Sequence, residues 1–485
     1  MGSPSHHDVL LHELAAFTNR VPLALDAAAQ KSAQAAIIDT LAVALGALRH
    51  PAAIAGRRYA RHSVVARGAT LWGSGETVTA EAATLANGVP LRGYDYNDLY
   101  IGRSGGHPSD VVPGAIALAQ WRGLSGATLL GGIALAYEAQ LALFDTLELD
   151  AGGWDYPVVT ALGATCGYAR MLGLTEVQVR EALAIVAVTH MVSDEVESGE
   201  LNARGDLTMW KRFNGSNAAR TALSACVMAK AGIEGAIRPF EGRTGMLSKL
   251  GEGNANTTRL FDLLRGTKAL GRVGEVTFKR WPVGSRAQSA IQAALQARAS
   301  MVAQGADPRA ARSVRVLADE QVYDHLLRRR ADPFHPISRE TADHSLPYIV
   351  CAAVLDGRVG TDAFEPSRVL DPGRQAFLSE RVKVEVSAEI SKGAAGGFLS
   401  GVEITDDAGR VHAGQAKAPP GHRLQPFSEA EFEQKLRENV EPLYGAARAG
   451  EMLAAVRALP SAASPDALCA LLTVADGRRI EAAAA

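Results

Sequence analysis

Gly271-Arg-Val-Gly-Glu-Val-Thr-Phe-Lys-Arg-Trp-Pro282 is where the chain changes character. Val273, Val276, Thr277 and Phe278 are strand formers, so the stretch predicts a strand over 273–278 that ends at Lys279 and Arg280. Upstream the reading is helix after helix. Ile37, Ile38, Leu41 and Leu45 recur at helical spacing, and similar patterns cover 80–87, 111–121, 125–144, 159–172, 176–192 and 217–231. Alanine is abundant at the contact positions, which predicts close helix packing in a compact bundle. Downstream, residues 313–318 alternate apolar with polar, and Val382, Val384 and Val386 alternate with charged residues. Residues 402–405 and 411–417 flank Asp406-Asp-Ala-Gly409, a hairpin turn. Helical patterns lie between, over 289–302 and over 344–355 before Gly357. This middle part reads as one antiparallel sheet with helices on one face. Beyond Pro419-Pro420 the helical pattern returns, with a capping box at Ser428 and Glu431 and helices over 451–459 and 466–472. The fold class is therefore mainly α with an α+β insertion. Residues 1–268 and 419–485 would form a large all-helical domain, and 269–418 a smaller α+β lid, with a ligand cleft between them.

The bulk composition narrows the partners. The chain has 485 residues, long enough for more than one core, with 47% hydrophobic and 21% charged residues. Lys+Arg 50 against Asp+Glu 52 leaves a formal charge of -2. That balance predicts neither nucleic acid nor an anionic membrane as a partner. Cys166, Cys226, Cys351 and Cys469 are far apart in apolar surroundings, so neither a disulfide framework nor a thiolate-held cluster is expected. The first residues lack a basic segment followed by an apolar run, and the apolar run 129–144 is interrupted by Glu138 and Gln140. A cytoplasmic protein is the expectation.

The chemistry-bearing residues concentrate in a second stretch, Gly93-Tyr-Asp-Tyr-Asn-Asp-Leu-Tyr-Ile-Gly-Arg-Ser-Gly-Gly-His-Pro-Ser-Asp110. Asp95, Asp98 and His107 fall in a loop between two helical patterns, and such loops often carry proton-transfer groups. Further along are Lys211 just before a helix, Lys279 and Arg280 at the predicted strand end, Arg286, Tyr323 after the strand near Leu317, and His344 at a helix start. Each alone has a structural explanation as a cap, a turn or a solvated charge. Together the lysines and arginines suit a carboxylate-bearing substrate. No dinucleotide fingerprint, Ser-His-Asp signature or zinc-type histidine spacing is present. Proton chemistry on a polycarboxylate, without a cofactor or metal, is what remains.

Ala86-Asn-Gly-Val, Asp95-Tyr-Asn-Asp and His107-Pro-Ser-Asp resemble the signature of the MmgE/PrpD family. The likeness continues in order through Met209-Trp-Lys211, Asn217-Ala-Ala-Arg, Phe240-Glu-Gly, Lys279-Arg-Trp-Pro, Arg339-Glu-Thr-Ala-Asp-His-Ser-Leu-Pro-Tyr348 and Pro420-Gly-His422. The resemblance implies a helical domain with an inserted lid, a homodimer, and no metal or cofactor. It also implies reactions on di- or tricarboxylates next to a carboxylate: dehydration of 2-methylcitrate, decarboxylation of cis-aconitate or epimerisation of an iminodisuccinate. By position, Asp95, His107, Lys211, Lys279 and Tyr323 match the family's catalytic positions. Arg280, Arg286, Tyr156 and His344 are the expected substrate-binding residues, and no residue is assigned to a metal. There are departures: Leu99 replaces a frequent threonine, Gly284 and Tyr156 replace histidines, and Arg286 replaces the histidine of methylcitrate dehydratases. They weigh against decarboxylation and leave the substrate open. The expectation is elimination of water, with Asp95 and His107 moving the protons. Epimerisation ranks second, and a catalytically silent carboxylate binder ranks last.

Overall fold

Most helices of the first half begin at a side-chain cap. Asp26 caps Ala27–Gly46, Thr79 caps Ala80–Gly88 and Ser125 caps Gly126–Phe144, while Thr175 and Gln178 close a capping box on Glu176–Thr189. Each cap satisfies an amide the helix cannot pair internally. The computed structural model describes residues 8–197, 202, 207–330, 332–393, 398–474 and 480–481, so the reading of residues 1–7 lies outside it. Gly126–Phe144 is long and apolar enough to cross a membrane, but 89% of its apolar window is buried inside the protein. It packs against Pro157–Met171 through glycines: a Cβ on Gly167 would stand 2.5 Å from the Gly132 carbonyl oxygen. Small residues thus set the helix spacing, as the alanine-rich pattern predicts.

The buried apolar side chains form two main clusters. The larger draws on residues from Leu10 to Phe278 and again from Phe427 to Ile480. The second draws on Val283 to Ile404. Both ends of the chain therefore share one core, and the turnover falls between Phe278 and Val283, at the end of the Gly271–Pro282 stretch.

That stretch is not a strand. Arg272–Gly274 is a single 3-10 turn, and Thr277 alone pairs, exchanging both backbone bonds with Leu99 at 2.8 Å. The next amide, Phe278 N–H, donates instead to the Gly421 carbonyl. Neighbouring peptides bond to different segments, so no ladder can build. The first half also contains short strands that periodicity missed: β1 (Val64–Thr70) pairs with β2 (Thr77–Val78), and β3 (Tyr100–Ile101) with β4 (Gly105–Gly106).

The second core lies against a four-stranded sheet of β5 (Ser313–Ala318), β6 (Val382–Val386), β7 (Ser400–Thr405) and β8 (Val411–Ala416), in the order β6-β5-β7-β8. β5 pairs antiparallel with β7 and β7 with β8, but β5 and β6 run parallel, so the sheet is mixed rather than antiparallel. The long connection through helices Leu346–Asp356 and Pro372–Arg381 returns the chain to the same end of the sheet, which is what a parallel pair requires. Alternation alone does not encode strand direction. Helix Gln288–Ala303 crosses β8 so closely that a Cβ on Gly414 would run into the Ala293 carbonyl.

The C-terminal helix Glu429–Tyr444 returns to the first core against Ala27–Gly46. Its Lys435 is fully buried, and the ammonium donates to Asp39 Oδ1 at 2.6 Å, the Tyr96 carbonyl at 3.0 Å and the Lys279 carbonyl at 2.8 Å. Three acceptors satisfy its three N–H donors. Replacing Lys435 with Met strands Asp39 as an unpaired buried carboxylate, so the variant is expected to lose about 3–5 kcal/mol of stability. Urea unfolding measures this, and a loss under about 1 kcal/mol would contradict the clamp.

Candidate active site

The Gly93–Asp110 loop is closed on itself by buried polar groups. Asp98 accepts from Ser109 N–H at 3.0 Å and Tyr137 O–H at 2.9 Å. Arg92 donates to Asn97 Oδ1 at 2.7 Å, and Asn97 donates to Ser109 Oγ at 3.0 Å. Burial pushes the Asp98 carboxyl up to about 7 despite those bonds. Its carboxyl oxygens are engaged in holding the loop, which agrees with a structural role.

Asp95 is the single non-glycine residue with positive φ among the described residues, at 46°. Strain of this kind persists where the surroundings hold it in place. Here Lys279 Nζ donates to the Asp95 carbonyl at 2.7 Å and pairs with its Oδ1 at 3.0 Å, and Arg92 pairs with Oδ1 at 3.2 Å. Burial would raise the Asp95 pKa, but Lys279 and Arg92 outweigh it and hold the group well below the usual carboxylate range. Asp95 is therefore a locked anion. Lys279 is itself fully buried, and that burial brings its ammonium down to about 8, with Asp95 opposing the fall.

His107 Nδ1 lies 2.6 Å from the Asp98 carbonyl oxygen. A carbonyl can only accept, so Nδ1 carries the proton and Nε2 holds a lone pair in the neutral ring. Burial first, then the charges of Arg92 and Lys279, drive the imidazole pKa well below its usual value. The Tyr156 ring stands edge-on to His107 at 5.2 Å between centroids, and its hydroxyl donates to Asp110 Oδ2 at 2.8 Å. Tyr156 thus buttresses the imidazole, with its hydroxyl engaged by Asp110. Gly215 makes room for that pair, since a Cβ there would run into Asp110 Oδ2.

Near this cluster the described residues line at least two cavities, and none of Asp95, His107 and Lys279 is among the residues lining them. The more polar one, about 630 Å³, is lined by Lys211, Arg286, His325 and His344 with Asp150 and Asp194. Lys211 lies in the first turn of helix Trp210–Lys230, not before the helix as the sequence implies. His344 bonds through Nδ1 to the buried Asp343 at 2.5 Å. Gly284 abuts it: a Cβ there would sit 3.7 Å from the His344 ring. Arg286 stacks over Phe398 at 5.5 Å, its Nε has no hydrogen-bond partner, and no described carboxylate pairs with it.

Two expected residues are engaged elsewhere. Arg280 is held by both oxygens of Glu438, at 2.8 and 3.0 Å, on the C-terminal helix. Tyr323 packs against the second core with Arg328 stacked on its ring, and it is not among the residues lining either cavity. Conversely, pattern reading passed over Arg92, Asp110 and the buried Arg212–Glu340 ion pair, whose arginine also donates to the Arg92 carbonyl at 3.1 Å. A charged residue at the end of an apolar helix reads by default as solvated, and nothing local marks Arg92 otherwise. Among the described residues no group of three or more His, Cys, Asp or Glu side chains could hold a metal ion.

A helical core shared by both chain ends, a mixed-sheet insertion and a cationic cleft beside a buried His–Asp–Lys cluster define the class. The chain belongs to the MmgE/PrpD family: the family's N-terminal domain matches residues 12–258 and its C-terminal domain residues 281–460. The chain is 26% identical over 386 residues to cis-aconitate decarboxylase of Homo sapiens, covering 77% of this chain and 76% of that one. It is 26% identical over 386 residues to 2-methylcitrate dehydratase of Cupriavidus necator, covering 74% and 73%. Against the Salmonella typhimurium 2-methylcitrate dehydratase it is 26% identical over 404 residues, covering 78% and 79%. These relatives are lyases of two kinds.

The hydrogen bond at Nδ1 makes a direct prediction. Nitrogen-resolved NMR of labelled histidine should find His107 neutral at pH 6 with the proton on Nδ1. An imidazolium there at pH 6 would contradict the geometry.

Proposed function

We propose that this chain is a lyase that removes water from a small hydroxylated di- or tricarboxylate, such as 2-methylcitrate or a related acid, without a cofactor. The observation that carries this reading is the neutral His107, its Nε2 lone pair available, set among cations. Nε2 takes the proton from the carbon next to a carboxylate. The electron pair left on carbon forms the new double bond as the carbon–oxygen bond breaks, and the departing hydroxide takes a proton from Lys279 to leave as water. Charge builds on the carboxylate oxygens, and preorganised cations are the usual largest source of stabilisation for such charge. Lys211 and Arg286 fill that role, with His344 beside them. Asp95, expected from sequence to move a proton, is too strongly held as an anion to be an effective base or an acid. Its part is to position Lys279.

Proton transfer by one positioned group contributes about 100- to 10,000-fold. His107→Ala should therefore lower turnover of the preferred polycarboxylate by about that factor while circular dichroism and melting stay close to the parent. A folded variant with undiminished turnover would refute the assignment. NMR in deuterated water supplies the controls. Deuterium entering recovered substrate without an alkene product indicates epimerisation instead, and stabilisation by polycarboxylates with no turnover of any indicates a binder.

The pH profile follows from the same assignment. His107 acts deprotonated, so its low pKa keeps it competent well below pH 6.5. Lys279 acts protonated, so activity is lost as pH rises through about 8. The expected kcat/KM is flat between about pH 6.5 and 7.5 and falls above 8. A profile that rises steadily through pH 9 would exclude Lys279 as the acid.

A further inference from the structure

The short helix Arg339–Ala342 meets the Gly93–Asp110 loop from the side of the second core. Its Ala342 is buried in that core, and a capping box of Ser338 and Thr341 fixes its backbone. Two neighbouring side chains cross to the first core. Glu340 pairs through Oε1 with Arg212, in the first turn of helix Trp210–Lys230, whose Ala218 and Ala219 belong to the first core. Arg339 stacks over the Tyr94 ring at 4.1 Å and lies 5.4 Å from the Phe364 ring of the second core. Tyr94 immediately precedes Asp95.

Arg212 uses both ends of its guanidinium. Nη2 pairs with Glu340, while Nη1 donates to the Arg92 carbonyl at 3.1 Å. The two arms of the proton-transfer cluster meet at Arg92. Its Nη1 donates to Asp95 at 3.2 Å, and Asp95 in turn pairs with Lys279. Its guanidinium also lies 5.9 Å from the Tyr156 ring, which stands edge-on to His107. A displacement of Arg92 is therefore felt on the side of Lys279 and on the side of His107.

We propose that Arg212 and Glu340 are positioning residues for the proton-transfer cluster. The carboxylate carried by the second core holds Arg212, Arg212 holds Arg92, and Arg92 holds Asp95 and the ring against His107. The effect on rate rests on the lyase reading, whereas the linkage itself does not. The residue types suit the task. A guanidinium spreads its N–H groups over a rigid fork, so one side chain reaches a carbonyl and a carboxylate at once, whereas an ammonium carries its donors on a single atom. The pair is also shielded, with the Arg212 side chain 4% exposed and that of Glu340 10%, so water does not readily replace a lost bond.

The test uses the full chain carrying Arg212→Met together with Glu340→Leu. Replacing a buried ion pair by apolar residues of similar volume is often neutral for stability, so melting should stay close to the parent while the bond to Arg92 is gone. A misplacement of reacting groups by about 1 Å can cost about a hundredfold in rate, so kcat for the preferred polycarboxylate should fall by about 10- to 100-fold. KM should change little, since neither residue lines the cavities described above. The nitrogen resonances of the His107 imidazole, read without substrate, should move from their parent positions. Arg212→Lys keeps the charge but cannot make both bonds, and it should show the same two effects; it carries the test if the double variant does not fold. In a folded variant, an undiminished kcat or unmoved His107 resonances would overturn the proposal. If the parent turns over no polycarboxylate, the lyase reading fails, and the His107 resonances alone decide the linkage.

Discussion

The buried ammonium of Lys435 ties together segments that are far apart in sequence. It bonds at once to Asp39 on the second helix, to the carbonyl of Tyr96 beside Asp95, and to the carbonyl of Lys279. The Tyr96 ring lies 4.1 Å from the same ammonium and its hydroxyl donates to the Arg280 carbonyl. A charge shielded from water is tolerated only where its donors are met, so the four segments are constrained to meet at one point. The placement of Asp95 relative to Lys279 therefore depends on a helix more than 150 residues further along the chain.

Around that point the site works by opposing shifts. Burial by itself pushes acids up and bases down, and it does so for Asp98, Asp110, His107 and Lys279. Asp95 is the exception, because Lys279 and Arg92 both face it. The result is one fixed anion, one ammonium close to neutral pH in its titration, and one imidazole kept uncharged. Groups whose environments push their pKa values apart are how a protein provides a base and an acid in the same place. Tyr156, Asp110 and Gly215 hold the imidazole without entering this balance.

The family's relatives include a decarboxylase and dehydratases at the same 26% identity, so likeness alone does not choose between reactions. Arg286 and Leu99, which the sequence reading takes as departures from the family pattern, lie on the cleft wall. A shared core with altered walls is how one scaffold accommodates different acids.

Much of the fold was legible because helices announce themselves locally. Caps, 3.6-residue periodicity and the clean alternation of Val382, Val384 and Val386 placed most elements to within a few residues. The Gly271–Pro282 stretch misled as a strand, because a strand needs a continuous partner and Thr277 has a single rung. The parallel pairing of β5 with β6 was invisible for the same reason: direction is set by the path of the connection. Within the site, the sequence by itself determined which chemistry-bearing residue types are present, Asp95, His107, Lys211, Lys279 and Arg286 among them. Only the tertiary structure decided the partners of each. It engaged Arg280 with Glu438 and Tyr323 with the second core, and it paired Asp95 with Lys279 and Arg92. The physical reason is that a side chain's charge state and availability depend on burial and on partners remote in sequence, and local pattern carries neither.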